Sequence, residues 1–510
     1  MFVSLSSSTL ITLFFIMLIV SWLSGLLFLH PRTPLSFVRI HIGIVALPPL
    51  VSLLALASTN VNEVVGPWHL DSLAWLMAFF VLSIGLIIQR FSVRYLMGDR
   101  SYRKYFTLFT FTTSAASVAW LSNDLRLMVI CWGATLVGLT LLIRLNSTWK
   151  VANEAAKVSS RLFTISWFAL LSAVIWLSQV TGQWQLSLVL TNESLAQLGT
   201  LEKTCISLLI VLTVIIPAAQ WPFQRWLIES VVTPTPVSAI MHAGLVNAGG
   251  IMLTRFSPLF NGDIAQIVLL ILASISVLIG SGVSLVQVDY KRQLIGSTMS
   301  QMGFMLIQCA LGAYLAAIIH LVLHGLFKAT LFLQAGSAVR RFEVSTRVNE
   351  KSSYLWIMAG RGLGLLIGIA FWMSAPGEGY QLISALILGW SLSLSWTQLV
   401  AFGKGTIGRI AGLSFLVGSA IIYFIIHHLF YEWLHTTIYQ SAQPPMWAVI
   451  FVVCLLLFGS SIGALIARNR SSVLFSVLYL WLVQIGEAKQ KSVERHPNYL
   501  KQYASQGGNR

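Results

Sequence analysis

The sequence predicts an all-α polytopic membrane protein, and three observations support this fold class. Of the 510 residues, 56% are hydrophobic and only 9% are charged, whereas soluble domains carry about 25% charged residues. Many apolar stretches reach the roughly 20 residues that a helix needs to cross a bilayer. The basic residues collect in alternate connections between these stretches, as expected for a chain that crosses a membrane many times.

The apolar stretches divide the chain into about 14–15 transmembrane helices. We expect spans at 10–29, 37–58, 72–89, 105–122, 125–143, 162–181, 204–220, 237–257, 264–286, 293–311, 313–335, 353–373, 381–402, 411–431 and 446–467. The first is too long for the apolar region of a signal peptide. Residues 1–467 are thus predicted to form a single transmembrane domain, followed over 468–510 by an amphipathic segment and a basic tail.

The distribution of charge predicts how the chain is oriented. The net charge is +16, and such a charge also occurs in proteins that bind nucleic acid. Here most basic residues fall in the loops of one membrane side, which argues against nucleic acid and marks that side as cytoplasmic. We therefore expect the N-terminus outside and the C-terminus in the cytoplasm.

Three ionisable residues lie within one apolar stretch, AYLAAIIHLVLHGLFKATLFLQ. His320, His324 and Lys328 are spaced by four, so they share a helix face, each about 6 Å from the next. A charge at bilayer depth costs about 3 kcal/mol on insertion scales. Such residues mark an ion or proton path, so this face predicts a protein that handles protons.

A proline-rich stretch predicts broken helices near one membrane surface. Pro217 and Pro222 are followed by Pro234 and Pro236 in IIPAAQWPFQRWLIESVVTPTPVSAIMHAG. Irregular backbone at membrane depth occurs where it lines a cavity or is buried in protein. His242 lies about two turns into the next span, and we expect it to join the polar path. The alternative is a re-entrant cytoplasmic loop with a packing histidine.

The sequence offers no evident centre for catalysis or metal binding. The four cysteines lie singly in apolar stretches, and no Cys/His set has zinc-site spacing. No Gly-rich phosphate loop or nucleophile motif stands out. His427, His428 and Glu432 lie at a predicted span end beside aromatic residues, as in an interfacial belt. We expect a transport subunit rather than an enzyme, without a cofactor or metal of its own.

Several motifs resemble one family of membrane subunits. WPFQRWLIESVVTPTPVSAIMHAG resembles the seventh and eighth helices of the antiporter-like subunits of respiratory complex I and of multisubunit cation/proton antiporters. VDYKRQLIGSTMSQMGFM and HLVLHGLFKATLFLQAGS resemble the tenth and eleventh helices, and FSVRYLMGDRSYRKYFTLFTF with NDLRLMVICWG resembles the third to fifth. The resemblance implies an antiporter-like fold with broken helices. It also implies that His242, His320, His324 and Lys328 form part of a polar axis for protons.

The chain departs from this family at positions that usually carry charge. The family's Trp-Glu pair in the fifth helix matches Trp132–Gly133, and its seventh-helix lysine matches Pro217. The usual lysine-bearing end of the twelfth helix is also missing. Arg361 either substitutes as an intramembrane cation of the proton path or extends its side chain to the cytoplasmic surface.

This reduced pattern resembles the membrane subunit of DAB-type inorganic-carbon accumulation complexes. The resemblance implies a bacterial cytoplasmic (inner) membrane and a large cytoplasmic partner, DabA, which contains zinc and is related to β-carbonic anhydrases. It further implies that proton flux drives CO2 hydration and bicarbonate accumulation in that partner. We expect protons to enter near Asp71, for which the alternative is a carboxylate that only terminates a helix. They leave at the cytoplasmic face, where Arg225, Pro234 and Pro236 meet the partner.

Three other functions stay open on the sequence alone. The chain could be a subunit of a multisubunit cation/proton antiporter, with Na+ as the coupling ion. It could belong to the membrane arm of a hydrogenase or of a complex I-like enzyme. From a different class, it could be a proton-inert scaffold that anchors a soluble enzyme, since the family's glutamate and lysine are lost.

Overall fold

The computed structural model describes residues 6–58, 63–260, 262–338, 354–374, 405–438 and 444–488, together with residue 385. Most of them are helical, so the predicted all-α class is confirmed. The helices are α1 (Ser7–Leu27), α2 (Phe37–Val45), α3 (Leu47–Ser58), α4 (Ser72–Tyr95), α5 (Tyr102–Leu121), α6 (Leu125–Arg144), α7 (Lys150–Thr181), α8 (Leu186–Val189), α9 (Asn192–Leu195), α10 (Thr200–Ile215), α11 (Arg225–Glu229), α12 (Thr235–Ala243), α13 (Ala248–Arg255), α14 (Ile264–Val286), α15 (Tyr290–Ala310), α16 (Tyr314–Leu333), α17 (Tyr354–Ser374), α18 (Gly405–Leu434), α19 (Met446–Arg468) and α20 (Val473–Gly486).

The helices agree with the predicted spans. Within the described ranges, ten helical segments are long and apolar enough to cross a bilayer. Four more predicted spans coincide with α5, α10, α15 and α17, which do not meet that criterion. The sixteen residues of α10 are too few, and polar side chains lower the hydropathy of α5 and α15. The predicted span 381–402 lies outside the described residues, apart from residue 385.

A small hairpin precedes α4 and was not predicted from the sequence. Strands β1 (Glu63–Val65) and β2 (Trp68–Leu70) pair antiparallel, with Val65 opposite Trp68. Gly66 adopts φ +59° in the two-residue turn between them. Such a turn requires a positive φ, which glycine adopts without steric cost.

Four long helices begin at an aspartate. Asp71, Asp124, Asp263 and Asp289 precede α4, α6, α14 and α15, and each side chain accepts a hydrogen bond from the backbone N–H three residues on. For Asp71 the donor is Ala74, at 2.7 Å. A carboxylate here satisfies an unpaired N–H group and lies at the positive end of the helix dipole. These caps fix where the helices start.

Two glycines let α14 and α15 pack against each other closely. A Cβ added at Gly280 would lie 2.6 Å from the backbone nitrogen of Ser300, and one at Gly296 would lie 2.5 Å from that of Ser284. Small residues at such crossings allow backbones to approach within a membrane. This contact sets the position of α15, which supplies polar groups to the site described below.

The proline-rich region is broken as the sequence predicts. Helix α10 ends at Ile215, and no regular helix is formed until α11 begins at Arg225. A second break separates α12 from α13, where a short 3-10 turn covers Leu245–Asn247. Almost all of 235–255 is buried inside the protein, so this irregular backbone is shielded from lipid, as bilayer energetics require.

The last helix of the described residues is α20, a short apolar helix that lies against α14. The side chain of Leu482 packs over Gly282, and the Gln287 side chain donates to the Val483 carbonyl at 3.3 Å. Its fourteen residues are too few to span a bilayer. Residues 489–510 lie outside the described part, so the predicted division at 467/468 stays a prediction.

Candidate functional site

The three ionisable residues of α16 lie on its inward face, as the four-residue spacing predicts. Lys328 is fully buried, His324 is nearly so, and His320 is half-buried. Helices α12, α13 and α15 pack against this face. The predicted residues are thus directed into protein rather than lipid.

Lys328 is held by two oxygens of α15. Its Nζ donates to the Leu294 carbonyl at 3.2 Å and to Ser297 Oγ at 2.9 Å. Among the described residues no carboxylate forms an ion pair with it. An ammonium group in this position is therefore stabilised by dipoles alone, and its charge is expensive to keep. That makes Lys328 suited to gaining and losing a proton.

His324 hydrogen-bonds to the break between α12 and α13. Its Nδ1 lies 3.2 Å from Asn247 Oδ1, and the amide nitrogen of Asn247 donates to the Ala243 carbonyl at 2.7 Å. Since the amide oxygen can only accept, Nδ1 of His324 carries the proton. The buried Nε2 has no hydrogen-bond partner within the described ranges. The lone pair of this nitrogen is available to accept a proton.

His320 extends the same row toward the start of α16. Its ring centre lies 6.0 Å from that of His324, and its Nδ1 lies 3.1 Å from Gln308 Oε1 of α15. The row from His320 to Lys328 thus presents three basic groups one turn apart. Positive charge on one disfavours charge on its neighbour, so proton positions along the row are coupled.

His242 joins this row through α15. Its Nδ1 lies 3.0 Å from Thr298 Oγ1, and the Thr298 hydroxyl donates to the Leu294 carbonyl at 2.8 Å. The same carbonyl accepts from Lys328. The fully buried His242 ring also stacks on Phe332 of α16, 4.2 Å between ring centres. Thr298 and Lys328 therefore share one acceptor, and Thr298 links His242 to Lys328. The four predicted residues thus form one connected polar cluster.

The positions of the family's missing charges are filled by packing. A Cβ added at Gly133 would lie 2.5 Å from Trp167 Nε1, which donates to the Val129 carbonyl at 3.0 Å. Pro217 lies in the irregular stretch after α10 and is buried. Trp167 was not identified from the sequence, because nothing in its local pattern indicates that it covers Gly133.

Asp71 lies outside this cluster and pairs with Arg255 at the end of α13. Both guanidinium Nη atoms donate to the Asp71 carboxylate, one at 2.7 Å. His69 Nε2 lies 3.7 Å from the same group. Burial raises the pKa of Asp71, but the charge and hydrogen bonds of Arg255 outweigh burial and hold that pKa below its ordinary value. In the sequence, Arg255 lies at the end of the predicted span 237–257 that is opposite the cytoplasmic side, unlike most basic residues, and this is the signal of the pair.

The predicted partner interface has mixed exposure. Arg225 is exposed and lies 3.3 Å, Nε to Oε1, from the buried Glu229. Pro234 is the half-buried N-cap of α12 and Pro236 is buried in its first turn. The preceding carbonyl, of Thr233, accepts from Lys291 Nζ of α15 at 3.0 Å.

The backbone of Arg361 belongs to α17, but its side chain lies outside the described part, so neither predicted role is tested. In the portion of the chain that is described, no three His, Cys, Asp or Glu side chains come together as metal ligands.

Comparison with known proteins places the chain among antiporter-like subunits. Residues 122–410 match the family described as NADH:quinone oxidoreductase/Mrp antiporter, TM, and residues 65–106 match NADH-Ubiquinone oxidoreductase (complex I), chain 5 N-terminus. The chain is 78% identical to the "Probable inorganic carbon transporter subunit DabB" of Bacillus subtilis (strain 168), over 99% of this chain and 100% of that one. It is 73% identical to the protein of the same name from Bacillus anthracis, over 100% of both.

A solved structure shows the same architecture. A chain of the Mrp complex from Dietzia sp. DQ12-45-1b superposes with a TM-score of 0.59 and 20% identity, covering 97% of this chain and 59% of that chain. At this identity the likeness concerns the fold alone. The predicted antiporter-like fold is thereby confirmed.

Proposed function

Since the chain belongs to the DabB family of antiporter-like membrane subunits, we propose that it is the proton-conducting subunit of an energy-coupled complex that accumulates inorganic carbon. The relatives' names speak of inorganic carbon transport. Proton conduction is supported chiefly by the connected cluster of His320, His324, Lys328 and His242. Burying four interacting basic groups costs free energy, and ionisable residues buried in a membrane usually serve a function.

Protons enter from the outer side and reach the cluster by way of His320 and His324. The free Nε2 of His324 accepts a proton, and charge repulsion from it favours loss of a proton from a neighbour. Lys328 passes its proton toward the cytoplasmic end of α15. Asp71 is the predicted entrance group, but its bidentate pair with Arg255 favours a role in holding α4 to α13.

The partner is a large cytoplasmic zinc protein of the β-carbonic anhydrase type, DabA, in which CO2 hydration takes place. The chain itself performs no hydration chemistry, in keeping with its descent from transport subunits. The loop around Pro234 and Pro236, with Arg225, meets that partner. Lys291 ties this loop to the first turn of α15, and Leu294 binds Lys328 one turn later. A change of charge on Lys328 can thus reach the partner through α15.

Replacing Lys328 by methionine tests this proposal, with Lys157→Met as the matched control. Lys157 is an exposed lysine near the start of α7, and its Nζ lies 2.7 Å from Glu154 Oε1. We expect Lys328→Met to keep the partner and about one zinc per complex in gentle detergent. It should lose inorganic-carbon uptake by about 100-fold, as expected for loss of a proton-transfer group. Lys157→Met should retain the partner, the zinc and the uptake of inorganic carbon.

Two results would count against the proposal. A complex of several small hydrophobic antiporter subunits without zinc would favour cation/proton exchange. Full uptake in Lys328→Met would favour an inert scaffold, a function supported by the packing of Trp167 on Gly133 and by Pro217 at the lysine position.

A further inference from the structure

A second buried polar cluster lies among the N-terminal helices, away from α16. His41 of α2 is surrounded by Ser24 of α1, Gln89 of α4 and Thr110 of α5. His41 and Gln89 are completely buried. Nothing in the sequence pattern around His41 distinguishes it, and the resemblance and the α16 cluster give it no role. His41 lies within a candidate membrane span, Phe37–Ser58, and ionisable residues in such spans usually serve a function.

The first nitrogen of the His41 ring is a hydrogen-bond donor. Nδ1 lies 2.8 Å from Ser24 Oγ, and the Ser24 hydroxyl already donates its hydrogen to the Ser21 carbonyl at 2.7 Å. A hydroxyl has one hydrogen to give. In this arrangement Ser24 accepts from His41, and Nδ1 carries a proton.

The second nitrogen faces an oxygen that can only accept. Nε2 of His41 lies 3.0 Å from Gln89 Oε1 and 3.2 Å from Thr110 Oγ1, and the Thr110 hydroxyl lies 3.3 Å from the same Gln89 oxygen. If Nε2 also carries a proton, it donates to Gln89 Oε1 and Thr110 does likewise. The observed placement of oxygens thus accommodates the doubly protonated, positively charged ring.

The same residues also accommodate the neutral ring after one rotation. The buried amide nitrogen of Gln89 has no hydrogen-bond partner in the part of the chain that is described. Turning the Gln89 carboxamide by half a turn directs this nitrogen at His41 Nε2, where it donates to the lone pair. The Thr110 hydroxyl can donate to that lone pair as well. Gain or loss of a proton needs no movement of the backbone.

We propose that His41 is a second proton-binding site of the membrane domain, with the Gln89 carboxamide as the group that adapts to each protonation state. The binding step adds one proton to Nε2 and breaks no other bond. The side chains that contact the ring from the packed helices are Ser24, Gln89, Thr110 and the rings of Phe28 and Phe106, and none carries a charge. The positive charge is therefore met by dipoles, as at Lys328.

The cluster lies close to a largely exposed loop. His41 lies in the second turn of α2, directly after the loop that joins α1 to α2. Arg103 holds that loop by donating to the carbonyls of His30 and Pro31, at 3.2 and 2.7 Å. Under the predicted orientation this end is cytoplasmic. In a chain whose N-terminal half lacks the family's glutamate and lysine, His41 supplies a protonatable group to that half, a role that rests on the proposed function.

Nitrogen NMR of the full chain, labelled at histidine and held in lipid nanodiscs, tests the site. The resonances lost in His41→Gln identify the ring. Gln89→Glu should hold both ring nitrogens protonated at neutral pH, because its carboxylate lies against Nε2. Gln89→Leu should leave the ring with one proton at the same pH. The control His30→Gln removes an exposed loop histidine and should leave the His41 signals unchanged.

The wild-type signals between about pH 4 and about pH 9 complete the test. We expect them to pass from a pattern of one protonated nitrogen to a pattern of two as the pH falls. A one-proton pattern at every pH, unchanged by Gln89→Glu, would overturn the proposal. If His41→Gln does not fold, the signal displaced by Gln89→Glu identifies the ring instead. The measurement needs neither partner nor transport, so its failure leaves the proposed function standing, and the reverse also holds.

Discussion

Replacing Asp71 by asparagine should destabilise the protein by about 3–5 kcal/mol. The pair that it forms with Arg255 is buried, with 2% and 8% of the two side chains exposed. Asparagine can still cap α4 by accepting from Ala74, so the change isolates the lost charge. Removing one partner of a buried ion pair leaves the other uncompensated, which costs about 3–5 kcal/mol.

The matched measurement is a double-variant cycle of unfolding free energy in mixed detergent micelles. Asp71→Asn and Arg255→Gln should each cost this amount, while the double variant should recover most of the loss because no lone charge stays buried. Single variants that cost less than about 1 kcal/mol, or that simply add, would refute the reasoning. A double variant that is stable but does not transport would support the predicted role of Asp71 at the proton entrance.

The same pair gives a dependence on pH with a definite sign. The pKa of Asp71 is lower in the folded protein than its ordinary value, because of Arg255. Its stabilisation is therefore complete above the unfolded-state pKa of about 3.9 and is lost as the pH falls through the folded-state pKa. The Asp71→Asn variant should lack this loss of stability in acid.

Two further substitutions test the packing around the site. Gly133→Glu should destabilise the protein by about 1–3 kcal/mol, since Trp167 occupies the space of the new side chain. In thermal unfolding, adding Trp167→Ala should recover much of this loss. If the loss persists in the double variant, the clash with Trp167 is not its cause. Thr298→Val leaves His242 Nδ1–H without its acceptor and should cost about 1–3 kcal/mol. Thr298→Ser keeps the hydroxyl and is its control, so equal losses in the two variants would show that the hydrogen bond is not the cause.

The sequence identified the helices and the α16 face because both depend on local properties. The length of an apolar stretch predicts a span, and a spacing of four places His320, His324 and Lys328 on one side of it. Prolines likewise indicated where helices break. Ionisable residues are rare in apolar stretches because a charge is costly to bury there. His320, His324 and Lys328 therefore stand out in the sequence.

What surrounds these residues was decided by the tertiary structure. The acceptors of Lys328 come from α15, and the partner of Asp71 lies 184 residues away. Trp167 and the His41 cluster likewise involve contacts between different helices. Apolar periodicity shows which face of a helix is buried but not which helix covers it. That choice follows from how whole helices pack, through close approaches such as Gly280 with Ser300, and no local pattern contains it.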